Sequence, residues 1–78
     1  MKPTFLNNAG LSHAIAELQD EQVKVRRNAV IVCILSGDPR VIEPLKSVFE
    51  DEDFEVRFYA RQGVKRLENQ IFDNLSRN

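Results

Sequence analysis

The apolar residues of this chain recur at the spacing of an α-helix. Four of them share one helical face in the first segment: Leu11, Ala14, Ile15 and Leu18. A polar stretch at 20–22 follows, and a second segment then places apolar residues at steps of four: Val25, Ala29 and Cys33. Gly37 is typical of a helix end, and Asp38 followed by Pro39 is typical of the start of the next helix. The first half therefore predicts two helices joined by a short acidic turn.

The second half of the chain follows the same plan. An apolar face on residues 42–49 precedes an acidic turn at 51–53, in which Asp53 is a candidate helix cap. Pro44 predicts that the helix before this turn either begins late or bends. The last segment is the most regular, with apolar residues at steps of 4, 4, 3 and 4: Val56, Ala60, Val64, Leu67 and Ile71. We expect this helix to continue to about residue 75.

A constant shift in residue number relates the two halves. Asp20 corresponds to Asp51, and Arg26 corresponds to Arg57, since 51 − 20 and 57 − 26 are both 31. A period of this length is typical of repeat proteins, in which each unit is one supersecondary element that stacks on the next. We place repeat one at about 10–36 and repeat two at about 40–69, within a single domain that spans residues 1–78.

One segment also allows a β-strand. Residues 29–35 are rich in β-branched side chains, which favour strands. The corresponding residues 60–66 have a helical period and a polar face, and two copies of one unit should share a secondary structure. The sequence therefore predicts an all-α protein.

The repeated unit resembles the HEAT repeat. The residues that carry the resemblance are Leu18, Asp20, Val25, Arg26 and Ala29 in the first unit and Phe49, Asp51, Val56, Arg57 and Ala60 in the second. Residues 37–45 look like the linker and first helix of the HEAT-like subtype named after the phycobilisome lyases. The resemblance covers about residues 10–69. It implies an α-solenoid of two stacked HEAT-like helical hairpins with short terminal caps.

The resemblance also implies a structural ladder between the units. In HEAT-type stacks, an aspartate in the turn binds an arginine that opens the second helix of a neighbouring unit. The corresponding residues here are Asp20, Arg26, Asp51 and Arg57. Pairs of this kind can be bidentate and can satisfy backbone groups near a helix terminus. We expect these four residues to be structural rather than catalytic.

Composition narrows the chemistry that the chain can perform. The net charge of −1 provides no overall field that would attract nucleic acid or anionic lipid. His13 and Cys33 are the only residues of their types, so a standard zinc site and an internal disulfide are both excluded. We expect Cys33 in the core, no catalytic constellation, and no cofactor. The apolar runs are too short for a signal peptide or a membrane span, so we expect a cytoplasmic protein.

The second helix is apolar almost all round, as is typical of a helix that is covered on every side. Its apolar excess consists of Val30, Ile31, Ile34 and Leu35, which correspond to polar residues in the second unit. The sequence leaves two covers open. One is the N-terminal segment that contains Phe5 and Leu6, and the other is a partner, either another protein or a second copy of the chain.

Aromatic and basic side chains meet at the start of the last helix. Phe54 corresponds to Val23 and is expected in the core, whereas Phe58 and Tyr59 either lie at the surface or pack under the tail residues Phe72 and Leu75. Exposed aromatic residues beside cations are typical of interface hot spots. A basic stripe of Arg57, Arg61 and Lys65 would suit an acidic protein, while the acidic turn upstream opposes nucleic acid. The candidate interaction residues are Val30, Ile31, Ile34, Leu35, Phe58, Tyr59, Arg61 and Lys65.

These features favour a protein–protein interaction module without catalytic activity, a small adaptor or regulator. The resemblance implies a setting as an accessory factor of phycobilisomes or of another photosynthetic complex in a cyanobacterium. Two alternatives stay open at this point. The chain could be a subunit or fragment of an E/F-type bilin lyase, or it could bind nucleic acid through its last helix.

Overall fold

Helices account for all the regular secondary structure in residues 8–76, the part of the chain that the computed structural model describes. They are α1 (Asn8–Glu17), α2 (Val23–Ser36), α3 (Ile42–Lys46) and α4 (Phe54–Ser76), with a 3₁₀ turn at Pro39–Val41 leading into α3. The prediction of an all-α protein is confirmed. The strand alternative for residues 29–35 is excluded, because they lie inside α2. The last helix extends one residue beyond the predicted limit of about 75.

The helices pack in three pairs: α1 against α2, α3 against α4, and α2 against α4. One cluster of buried apolar side chains fills the space between them, and it comprises Leu11, Ala14, Leu18, Ala29, Val30, Cys33, Val41, Leu45, Val48, Val56, Ala60, Val64 and Leu67. Full burial of a large aliphatic side chain contributes about 1.5–3 kcal/mol, so this cluster supplies the main driving force for folding. None of the described helices is long and apolar enough to cross a membrane.

Local signals set the ends of α2 and the entry to α3. Gly37 has a positive φ of 66°, and its N–H donates to the carbonyl of Ile34 at 3.1 Å, which ends α2. The side chain of Asp38 accepts from the N–H of Arg40 at 2.8 Å. Asp38 is therefore a cap, as predicted, although the element that it opens is the 3₁₀ turn rather than α3 itself.

Pro44 and Asp53 shape the second half. Pro44 is the third residue of α3, a position at which a backbone N–H has no partner within the helix, so proline is tolerated there. The helix begins late rather than bending at Pro44. Asp53 precedes α4 and accepts from the N–H of Val56 at 3.0 Å, which confirms it as the cap of that helix.

The expectation that Phe54 belongs to the core is wrong. Its side chain is 65% exposed at the first position of α4. Among the described residues, no further helix covers the side of α4 on which it lies, whereas the corresponding Val23 packs against the core. The proposed N-terminal cover, with Phe5 and Leu6, lies outside the described residues.

Candidate functional site

Arg26 ties the first acidic turn to the second. Its side chain is only 9% exposed. Nη1 donates to the carbonyls of Asp20 and Glu21 at 2.8 and 3.0 Å, while Nε and Nη2 donate to the Asp51 carboxylate at 2.9 and 3.2 Å. The guanidinium therefore satisfies backbone groups in its own half and forms a bidentate ion pair with the other half. We call this pair the rung.

Arg57 repeats half of these bonds in the second unit. Its Nη1 donates to the carbonyls of Asp51 and Glu52 at 2.7 and 3.0 Å. The two turns also match, because Asp20 Oδ1 accepts from the N–H two residues on at 2.8 Å and Asp51 Oδ1 does so at 2.9 Å. The constant shift in the sequence is therefore accompanied by the same hydrogen bonds in both turns.

A second contact between the halves has no counterpart in the repeat. Arg27 donates Nε and Nη2 to the Asp53 carboxylate at 3.1 and 2.8 Å. Because Arg27 corresponds to Phe58, the internal repeat gave no signal for this pair. The hydrogen bonds from Arg27, together with the bond from the N–H of Val56, lower the pKa of Asp53 from 3.8 to about 2.

Acid should weaken the fold through Asp53. The carboxylate is stabilised in the folded state, so the unfolded chain takes up the proton first as the pH falls. The stabilisation is complete above the unfolded pKa of 3.8 and is lost as the pH falls toward about 2. We expect the urea concentration at the unfolding midpoint to decrease as the pH is lowered from about 5 to about 2. The Asp53→Asn variant, which keeps a cap acceptor, should show a weaker dependence on pH. The control Asp73→Asn, at an exposed position of α4, should leave the pH dependence of the midpoint unchanged. An Asp53→Asn profile equal to that of the unmodified chain would contradict this prediction.

The candidate residues on α2 differ widely in exposure. Val30 is fully buried, which removes it from the candidate interaction residues. A helix that is apolar all round does not reveal from sequence which sides are covered, and Val30 lies on a covered side. Ile31 is 43% exposed and Leu35 is 72% exposed. Ile34 is half-buried because it packs against Gly63 of α4, where an added Cβ would overlap Cδ1 and Cγ1 of Ile34.

Aromatic residues of α4 face the same region. Phe58 and Tyr59 are exposed, and their rings meet edge to face with centroids 5.6 Å apart. They border an open groove of about 590 Å³ between α2 and α4, together with Ile34, Gln62, Lys65 and Arg66. Ile31 lies one turn before Ile34 on the same side of α2 and extends the apolar surface beside this groove, whereas Leu35, the residue after Ile34, does not border it. We call it the α2–α4 groove.

The basic residues of α4 are not equally available. Arg61 pairs with Glu50, and Arg57 is turned toward the carbonyls of the second turn. Lys65 and Arg66 are exposed, and neither forms an ion pair within the described part of the chain. The basic stripe is therefore interrupted, and the free positive charge lies at the border of the α2–α4 groove.

The candidate chemical groups lie apart. Cys33 is fully buried, and burial raises the pKa of its thiol to about 11, which disfavours the nucleophilic thiolate. His13 is exposed on α1, 3.5 Å from the carboxylate of Glu17. Within residues 8–76, no three side chains of the metal-binding types come together as a potential ion site.

Comparison with protein-family models, with curated proteins and with solved structures found no match for this chain. The likeness to HEAT repeats consequently stays a prediction, and so does the phycobilisome setting that it implies.

Proposed function

We propose that this chain is a small HEAT-like interaction module that binds an acidic amphipathic helix of a partner protein in the α2–α4 groove. It acts as an adaptor or regulator and contributes no catalysis of its own. The observation that carries the proposal is the apolar lining of the groove, in which Ile34 of α2 meets Phe58 and Tyr59 of α4, with the exposed Ile31 one turn before Ile34.

The apolar lining favours a protein partner. Ile31, Phe58 and Tyr59 are all exposed in the free chain, so much of their apolar surface remains available for binding. An apolar patch that a fold does not use for its own stability is typical of an interaction site. The aromatic pair of Phe58 and Tyr59 adds large rigid surfaces of the kind that dominate binding energy.

The charges at the border favour an acidic partner. Lys65 and Arg66 have no ion-pair partner among the described residues, and they border the groove, where Asp73 is the one acidic residue of the described lining. A groove between two helices suits a third helix that presents apolar residues at steps of three and four. Acidic residues beside that apolar face would pair with Lys65 and Arg66 and fix the orientation of the bound helix.

The repeat geometry supports the HEAT-like part of the proposal. Hydrogen bonds of the first turn recur in the second, and the rung joins the halves. The pairing of α1 with α2 and of α3 with α4 is consistent with two helical hairpins whose second helices lie side by side. The halves differ mainly in α3, which has five residues where α1 has ten.

The test uses a display library of amphipathic helical peptides with varied charge. We expect selection to enrich peptides that combine apolar residues at helical spacing with Asp or Glu. Ile31→Asp should weaken the selected binding at least about tenfold, because it sets a charge against the apolar face of the peptide. Leu75→Asp is the control, since Leu75 is exposed on α4 and does not border the groove. Lys65→Glu with Arg66→Glu should reverse the charge preference.

Two results would refute the proposal. One is equal binding by the Ile31→Asp and Leu75→Asp variants, which would place the peptide elsewhere. The other is selection of no peptide while duplex DNA binds with a steep dependence on salt, which would favour the nucleic-acid alternative.

A further inference from the structure

The two ends of the molecule carry complementary halves of the rung. Arg57 repeats the carbonyl bonds of Arg26, yet its Nε and Nη2 reach no acceptor within residues 8–76. Asp20 repeats the turn bond of Asp51, yet no cation lies within 4 Å of its carboxylate in the same range. One end therefore presents an arginine fork, and the other end presents the carboxylate that such a fork binds.

We propose that copies of this chain stack head to tail, with Arg57 of one copy binding Asp20 of the next. The repeated hydrogen bonds indicate that one rigid-body movement relates the first turn to the second. Within one chain, that movement superimposes the first turn on the second turn, whose Asp51 binds the fork of Arg26. A second copy placed one further step along the same movement brings its Asp20 to the fork of Arg57, in the geometry of the rung.

The receiving flank of the second copy is apolar. Gly63 of α4 contacts Ile34 of α2, and Val56, seven residues earlier, lies on the same side of α4. In α2, Val25 corresponds to Val56 and Val32 corresponds to Gly63. Both are only half-buried among the described residues, so α2 retains an apolar flank that a preceding unit would cover.

The flank of the first copy that docks against it combines apolar and charged side chains. Two side chains of α2 that face α4 are Arg27, which lies 3.6 Å from the Glu55 carboxylate, and Ile34, which contacts Gly63. Their counterparts in α4 are Phe58 and Lys65. Stacking would set the Phe58 ring and the aliphatic stem of Lys65 against the two valines, with the ammonium group at the rim. Because lysine replaces isoleucine here, we expect weak and reversible association.

Phe54 adds a further reason for contact at this end. Its exposed ring stacks on Phe58 with centroids 5.8 Å apart, and the guanidinium carbon of Arg57 lies 5.9 Å from its centroid. The arginine fork is thus held beside an uncovered aromatic pair, and a second copy would cover both. A contact between two different surfaces of the same chain leaves one surface of each kind free in a pair. The stack should therefore continue beyond two copies.

Sedimentation of the unmodified chain from about 10 µM to about 1 mM tests the proposal. We expect the average mass to rise with concentration past that of two chains. Asp20→Asn keeps the acceptor for the turn and removes the charge, so it should weaken association about 10- to 100-fold. Arg57→Gln should do the same. A mixture of the two variants retains one intact contact, so it should form pairs that grow no further.

Ile31→Asp separates stacking from the α2–α4 groove. It should associate as the unmodified chain does, because Ile31 lies beside the groove and takes no part in the proposed contact between copies. Circular dichroism and thermal melting establish that each variant is folded. If Arg57→Gln fails to fold, the association of Asp20→Asn alone tests the proposal. The proposal is overturned by a constant mass of one chain, by unchanged association of Asp20→Asn, by a mixture that forms no pairs, or by loss of association in Ile31→Asp.

Discussion

Replacement of Arg26 by alanine is expected to lower the melting temperature by about 15 °C or more. The loss arises because the Asp51 carboxylate, whose side chain is 10% exposed, would keep its charge without a cation. The carbonyls of Asp20 and Glu21 would lose their donor at the same time. A chain of this size has a small total stability, so the removal of one such group unfolds a large part of the population at elevated temperature.

Arg57 offers a matched control for this change. Arg57→Ala removes the same two carbonyl bonds but no rung, and we expect a smaller fall of about 5 °C. Addition of Asp51→Asn to Arg26→Ala should recover part of the loss, because asparagine keeps the turn bond without the unpaired charge. Melting followed by circular dichroism at low protein concentration avoids any contribution from association. Equal losses for the two alanine variants would show that the rung contributes nothing.

The sequence predicted the all-α fold because its two main signals agree. Apolar spacing located α1, α2 and α4, and the correspondence between the two units excluded the strand alternative for 29–35. The contact between Arg26 and Asp51 followed from the resemblance to HEAT repeats rather than from spacing. Both kinds of signal report what the two halves have in common.

Features that belong to one half alone were harder to predict. Arg27 and Asp53 form a pair that the repeat could not reveal, because α4 has Phe58 where α2 has Arg27. Gly63 in a helical pattern is a signal for close approach, but its partner Ile34 becomes evident only from the packing. Val30 is buried and the adjacent Ile31 is exposed for the same reason, since the side of an apolar helix that becomes buried depends on which helices pack against it.

Phe58 belongs to both proposed surfaces. It borders the α2–α4 groove, and it stacks on Phe54 at the end that would meet a second copy. A partner helix that covers Phe58 would therefore compete with stacking. Under this pair of proposals, binding of a peptide in the groove should lower the average mass of concentrated samples, because the two surfaces share the side chains of Phe58 and Lys65.

Replacement of Gly63 by alanine is expected to destabilise the chain by about 1–3 kcal/mol. Alanine favours a helix over glycine by about 1 kcal/mol at an open site, so propensity alone predicts the opposite sign. The overlap of the new Cβ with Cδ1 and Cγ1 of Ile34 outweighs that gain, because α2 and α4 must separate or Ile34 must leave its site. As a control, the variants Gln62→Gly and Gln62→Ala at an exposed position measure the effect of helix propensity alone, and the alanine variant should be the more stable of the two.

Ile34→Ala identifies the cause of the Gly63→Ala loss. It removes the two atoms that overlap the new methyl group and leaves the Ile34 Cβ, which is 3.5 Å from that position. In a double-mutant cycle followed by urea unfolding, the double variant should be more stable than the sum of the single losses by at least about 1 kcal/mol. Additive losses would mean that the cost at Gly63 does not come from its contact with Ile34. The close approach of α2 and α4 would then need another explanation, and so would the shape of the groove that lies between them.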